Sequence, residues 1–186
     1  LCDVMYGLRS PKNGHLTVDD TDPRDLRPDV LRRRVALVRD VEFFEGTISE
    51  NVHLERPSVS SANVHSVLDQ LGVLDELLLL PDGLGTSLPA GGGALSSSQL
   101  RRLMLARSIV GQPGLLLVDG LLDGFSDAEL IEVVSALKRL KEECTIFVAT
   151  GQQRVAGLCD RVLKMTTELP GAAVANRIAD SPNTPT

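Results

Sequence analysis

Two stretches of this 186-residue sequence place residue types in an order that could do chemistry. The first is Leu95-Ser96-Ser97-Ser98-Gln99-Leu100-Arg101-Arg102, three serines opening a run of apolar residues and arginines. A helix start presents unpaired backbone N–H groups and the positive end of the helix dipole. Small side chains let a phosphate approach that end, and serine hydroxyls add donors. Taken alone, the same serines read first as plain N-caps, a position that favours serine. The second stretch is Leu115-Leu116-Leu117-Val118-Asp119, an apolar strand that delivers one carboxylate at its end. Such a carboxylate can hold Mg²⁺ directly or through water. An aspartate there can also simply close the strand end.

These residues need a scaffold, and the hydrophobic pattern supplies one. Val35–Val38, Leu115–Val118 and Thr145–Ala149 are apolar throughout, the pattern of parallel strands covered on both faces. His15–Val18 alternates as a further strand, and Arg161–Met165 reads as the last. Residues 1–9 read as the tail of a helix. Val64, Val67, Leu68 and Leu71 give the segment Ser60–Leu71 a helical period. A helix is expected over about 96–110, an amphipathic one over Ala128–Glu143, and a short one over Val155–Cys159. Turn clusters interrupt at Ser10–Gly14, Leu80–Gly85 and Pro89–Gly93. After Leu169 the sequence is rich in Pro, Ala, Ser and Thr, which predicts a mobile tail.

Composition narrows the function. The net charge is -6, so no overall basic field attracts nucleic acid or anionic lipid. Aromatic residues make up 3% with no Trp, so the core must be aliphatic. Cys2, Cys144 and Cys159 lack metal-ligand spacing and fit a reducing cytosol. His15, His53 and His65 have no partner at ligand spacing, and Arg32-Arg33-Arg34 reads as a solvated helix face. No apolar run approaches the roughly 20 residues that span a bilayer. The chain begins at Leu1 rather than Met and reads as a fragment.

The motifs together resemble the nucleotide-binding domain of an ATP-binding-cassette exporter. Leu95–Gln99 and the arginine-rich helix ending in Leu105-Ala106-Arg107 look like the signature motif, LSGGQ, with Ser97 and Ser98 where the family has glycines. Leu115–Asp119 is similar to the Walker B strand. Leu80-Pro81-Asp82-Gly83-Leu84-Gly85-Thr86 resembles the exporter lead-in to the signature, and Gly46-Thr47-Ile48-Ser49-Glu50-Asn51-Val52 resembles the segment after the Q-loop. Arg24-Asp25-Leu26 with Leu31–Val38, and Gly7-Leu8 with Pro11 and Gly14, match two more family stretches. Aligned this way, Leu1 follows directly on the family's GxxxxGK[ST] loop.

The resemblance implies a P-loop NTPase-like α/β fold, with a parallel sheet core and a helical signature subdomain. Its expected bounds are 1–168 for the domain, about 47–111 for the helical part and 169–186 for the tail. It implies ATP and Mg²⁺ as ligands. Ser96, Ser98 and Gln99 would face the γ-phosphate of ATP held by a second nucleotide-binding domain, while Asp119 and Asp40 would face the metal. Asp40 is the nearest equivalent of the Q-loop glutamine. Ser98 adds a side chain where the phosphate must come close. The implied partners are that second domain, in a homo- or heterodimer, and the transmembrane domains of a transporter, with no nucleic acid. The implied location is the cytoplasmic face of the plasma (inner) membrane.

The departures fall on the chemistry. Gly120 stands at the catalytic glutamate position, and Gly151 at the switch histidine position. The D-loop reads Asp123-Gly124-Phe125-Ser126, and Ala90 stands at the glutamate that meets the membrane domain. Impaired hydrolysis is therefore expected. The alternative reading is a non-catalytic module that keeps the fold and dimer surface without using ATP.

Overall fold

The computed structural model describes residues 1–165, apart from 90–92, 94, 141 and 142. The expected tail and the Ala90 position lie outside the described residues. The chain opens with helix α1 (Cys2–Met5), a 3-10 turn (Pro23–Asp25), α2 (Pro28–Arg34) and strand β1 (Val35–Val38). A second group follows: β2 (Gly46–Thr47), α3 (Ile48–His53), α4 (Ser61–Gln70), α5 (Leu74–Leu78), a 3-10 turn (Gly83–Gly85) and β3 (Ser87–Leu88). Then come α6 (Ser97–Ile109), β4 (Leu115–Asp119), a 3-10 turn (Leu121–Gly124), α7 (Asp127–Lys138), β5 (Thr145–Ala149) and α8 (Gln153–Ala156).

β1, β4 and β5 form one parallel sheet with β4 in the centre. Side chains alternate across it, as a strand's period of two requires. Leu116 and Val118 enter the larger core with Val38 and the helices, while Leu115 and Leu117 pack with Leu31 and Val35 on the opposite face. Both faces are thus covered, which explains why the strands read as unbroken apolar runs. β2 and β3 form a separate antiparallel pair that brings Gly46 opposite Leu88. This is the α/β, P-loop NTPase-like architecture that the sequence implied.

α6 is the central helix. Leu103, Met104, Leu105, Ala106 and Ile109 are all buried, so it is covered on most of its circumference rather than along one stripe. Capping boxes start α3, α4, α6 and α7, at Thr47, Ser60, Ser96 and Ser126. Each satisfies two backbone N–H groups that would otherwise lack a partner.

Two expected strands do not form. At His15–Val18 the chain folds back at once through Asp19 and Asp20, both with left-handed φ (49° and 59°), leaving a single bridge between Val18 and Thr21. Residues 161–165 join no strand, and Val162, Leu163 and Met165 are exposed. An apolar run becomes a strand only when a neighbour takes its backbone hydrogen bonds, and β5 pairs only with β4 among the described residues. α7 ends at Lys138 rather than Glu143, α1 covers only part of residues 1–9, and α8 begins two residues earlier than expected.

Candidate functional site

Ser96 is the N-cap of α6. Its hydroxyl accepts from the Gln99 backbone N–H (3.2 Å), and the Gln99 side-chain oxygen accepts from the Ser96 N–H (2.8 Å). The amide of Gln99 also donates to Glu76 Oε2 on α5 (2.8 Å). Two of the three expected phosphate-contacting residues are therefore hydrogen-bonded to each other, and the third group on that contact is a carboxylate. Ser98 faces another carboxylate. Glu129, in the first turn of α7, is held down to about 2 by the Ser126 side chain first, then by the Ser98 side chain. The helix start keeps its capping geometry, with acidic groups of α5 and α7 near it.

Asp119 ends β4, as expected, but its carboxylate is already paired. Arg39, the first residue after β1, places Nη2 3.1 Å from Asp119 Oδ2 and 2.6 Å from Asp3 Oδ1 on α1. Asp3 is ion-paired with Arg9 as well (3.1 Å). The Arg39 contact, with hydrogen bonding ahead of charge, lowers the Asp3 carboxyl below its ordinary range. Arg39 Nε is buried without a hydrogen-bond partner among the described residues, so the guanidinium is committed through Nη2. Beside this cluster Cys2 is buried, and burial followed by the Asp119 charge pushes its thiol up. Parallel register brings the ends of β1 and β4 together, Val38 opposite Val118, which is why residues 39 and 119 meet.

Asp40 is exposed, and it makes no hydrogen bond or ion pair among the described residues. Its neighbour Arg39 is the residue that reaches Asp119, and sequence reasoning passed over it. The missed signal was the strand register, which sets the first residue past β1 beside the end of β4.

The two glycines at the positions of the catalytic glutamate and the switch histidine lie on adjacent strand ends. The Gly120 N–H donates to the Ala149 carbonyl (2.9 Å). A Cβ built at either glycine meets nothing within 4 Å. Gly120 has φ +74°, a left-handed conformation that a side chain makes costly. The next turn is tied to the end of β5. The Thr150 hydroxyl donates to Asp123 Oδ1, and Gln152 Nε2 (3.3 Å) and Arg154 Nη2 (2.8 Å) donate to the Asp123 carbonyl. Asp123 is thus engaged with Thr150 rather than directed to the space beside Gly120. Arg101 of α6 lies directly over Gly124 and near the Phe125 ring, so a side chain at 124 would displace it.

Two arginines, Arg102 buried and Arg107 half-buried, join α6 to its surroundings. Arg107 donates to the Asn51 carbonyl, to Asn51 Oδ1 and to the Glu42 carbonyl, each at 2.7 Å. Its guanidinium also lies 5.9 Å from the ring centres of both Phe43 and Phe44. Arg102 donates to the Leu71 carbonyl (2.6 Å) and pairs with Glu132 of α7 (2.8 Å).

A parallel sheet, a serine-capped central helix and a central strand ending in a lone acid define an α/β nucleotide-binding fold. The model of the family described as ABC transporter matches residues 1–122, and the chain belongs to that family. It is 33% identical over 157 residues to an ATP-dependent lipid A-core flippase of Neisseria meningitidis, covering 83% of this chain and 25% of that protein. It is 32% identical over 139 residues to the mycobactin import ATP-binding/permease protein IrtB of Mycolicibacterium thermoresistibile, covering 74% of this chain and 24% of that protein. The fold is similar to that of a bacterial Atm1-family ABC exporter solved with ATP bound (TM-score 0.75, 23% identity), across 83% of this chain and 27% of that one. The chain spans about a quarter of the length of the curated relatives it matches.

The family binds ATP, commonly with Mg²⁺, and the residues at Asp119 can be tested for that metal. They do not fit it. The carboxylate is bound to a guanidinium, and a second carboxylate, Asp3, is shared with the same nitrogen. Among the described residues no group of three or more His, Cys, Asp or Glu side chains is placed to hold a metal ion.

Proposed function

We propose that this chain is the nucleotide-binding part of an ABC exporter in which ATP binding, rather than hydrolysis by its own residues, drives coupling to transmembrane domains. The observation that supports the reading is the pairing of Gly120 with Ala149 at the neighbouring strand ends, beside Gly151. The family's general base and switch residue belong at these two positions, and neither residue can abstract or hold a proton. A missing general base alone removes roughly 10² to 10⁴ in rate.

In this reading Ser96, Ser98 and Gln99 face a nucleotide held by a second nucleotide-binding domain. The partner supplies the phosphate-binding and catalytic residues of the one competent site, which favours a heterodimer. The domain comprises residues 1–168, with its helical part at about 47–111, and sits at the cytoplasmic face of the plasma (inner) membrane against transmembrane domains. No helix among the described residues is long and apolar enough to cross a membrane. The alternative is an interaction module that keeps the dimer surface without nucleotide. It is supported by the carboxylates beside the signature serines, Glu76 on Gln99 and Glu129 near Ser98.

ATP binding and turnover by the longer protein test both readings. The expected result is binding with turnover near background for the homodimer. Vigorous hydrolysis by that homodimer, lost in Asp119→Asn, overturns the impaired-site reading. Absence of binding, together with a degraded GxxxxGK[ST] loop in the longer sequence, selects the interaction module.

A further inference from the structure

Arg39 lies between two carboxylates that come from different elements. Its Nη2 nitrogen touches Asp3 Oδ1 on α1 and Asp119 Oδ2 at the end of β4, at 2.6 and 3.1 Å. A single atom bridging two carboxylates is the arrangement expected of a divalent cation, which takes oxygen ligands from separate elements and joins them. Here the bridging atom belongs to the chain. We propose that Arg39 is a built-in cation at the Asp119 carboxylate, which closes this site to divalent metal and fixes α1 to the sheet. The inference rests on reading Asp119 as the family's metal-facing acid, and it does not require that the chain bind nucleotide.

Charge balance supports it. Asp3 and Asp119 contribute two negative charges, and Arg9 and Arg39 contribute two positive ones through the three ion pairs at this site. A divalent ion would bring two further positive charges to a balanced cluster. It would also have to displace a guanidinium, which cannot deprotonate to make way. Repulsion between the two acids would otherwise favour metal, and the arginine removes that driving force. Chemistry at the remaining neighbours agrees. Cys2, next to Asp3 in the chain, is buried, and Asp40 is exposed and joins no ion pair among the described residues.

The consequence is that Asp119 contributes to stability as the partner of Arg39 and not as a metal ligand. The test is titration of the 186-residue chain with Mn²⁺, followed by the free-ion electron paramagnetic resonance signal and by broadening of the Gly120 amide resonance. The wild-type chain is expected to leave the signal and the resonance unchanged up to millimolar Mn²⁺. Arg39→Gln removes the cation, and its Mn²⁺ affinity is expected to rise at least about tenfold, since one unit charge at this range is worth more than that. The gain is expected to vanish in the double variant Arg39→Gln with Asp119→Asn. Uptake of one Mn²⁺ by the wild-type chain with broadening at Gly120 overturns the proposal, and so does a folded Arg39→Gln chain with wild-type affinity. If Arg39→Gln does not fold, the wild-type titration decides alone. Failure of ATP binding in the longer protein would leave this titration readable, so the two readings fail separately.

Discussion

Arg107 grips Asn51 twice, donating from Nε to its carbonyl and from Nη2 to its side-chain oxygen, both at 2.7 Å. The two residues are far apart in sequence, and the contact fixes α3 against α6, while the Glu42 carbonyl contact adds the segment between β1 and α3. Asn51 is fully buried and itself donates to the Phe44 and Thr47 carbonyls (3.1 Å each). Removing the guanidinium takes the side-chain donor from the Asn51 carbonyl and leaves Asn51 Oδ1 with only the Phe44 N–H (3.3 Å). Arg107→Ala is expected to cost about 2–4 kcal/mol in urea unfolding, because unsatisfied buried groups carry their full desolvation cost. Arg107→Lys should recover only part of this, since an ammonium cannot reproduce the fork. Faster proteolysis within residues 42–53 would accompany the loss; an unchanged cleavage rate would show that the segment is held by other contacts.

Gly120 and Gly151 should respond differently to substitution although both face open space. Gly151→His is expected to change stability by no more than about 0.5 kcal/mol, the usual range for an unhindered surface position. Gly120→Glu should cost about 1–2 kcal/mol, because φ +74° is a left-handed conformation. Gly120→Ala should cost nearly as much, which separates backbone strain from the effect of the carboxylate. Equal melting temperatures for all three variants would contradict the backbone account.

Glu129 gives the fold an acid-sensitive contact. Its folded pKa is lowered from 4.5 to about 2. A group depressed in this way stabilises the fold above its unfolded pKa and loses that contribution as pH falls through the folded value. Stability should therefore decline between about pH 4.5 and pH 2. Glu129→Gln should be less stable at neutral pH and show a flatter acid limb in unfolding measured across that window. A wild-type acid limb in this variant would assign the decline to other carboxylates.

Ser96 and Ser98 can be separated by the same means. Ser96→Ala removes an N-cap and should cost about 1 kcal/mol. Ser98→Gly restores the family residue at the second position of α6. It should cost about 0.5–1 kcal/mol through helix entropy and raise the Glu129 pKa, measured by carboxyl NMR titration. No movement of that pKa would place the Ser98 hydroxyl elsewhere.

The sequence by itself determined the apolar strands β1, β4 and β5 and a helix opening at about Ser96. These follow from local rules. A continuous apolar run marks a strand buried on both faces, and a serine ahead of a helical period can mark a cap. Gly120 and Gly151 were equally legible, because each is read against motifs on either side of it. The tertiary structure alone decided what each polar group meets. Arg39 joins Asp3, 36 residues away, to Asp119, and Arg107 reaches Asn51 over 56 residues. Such partners depend on strand register and helix packing, which no local pattern encodes. Neighbours likewise settled that residues 15–18 and 161–165 are not strands, since pairing is a property of two segments and the period of one cannot supply it.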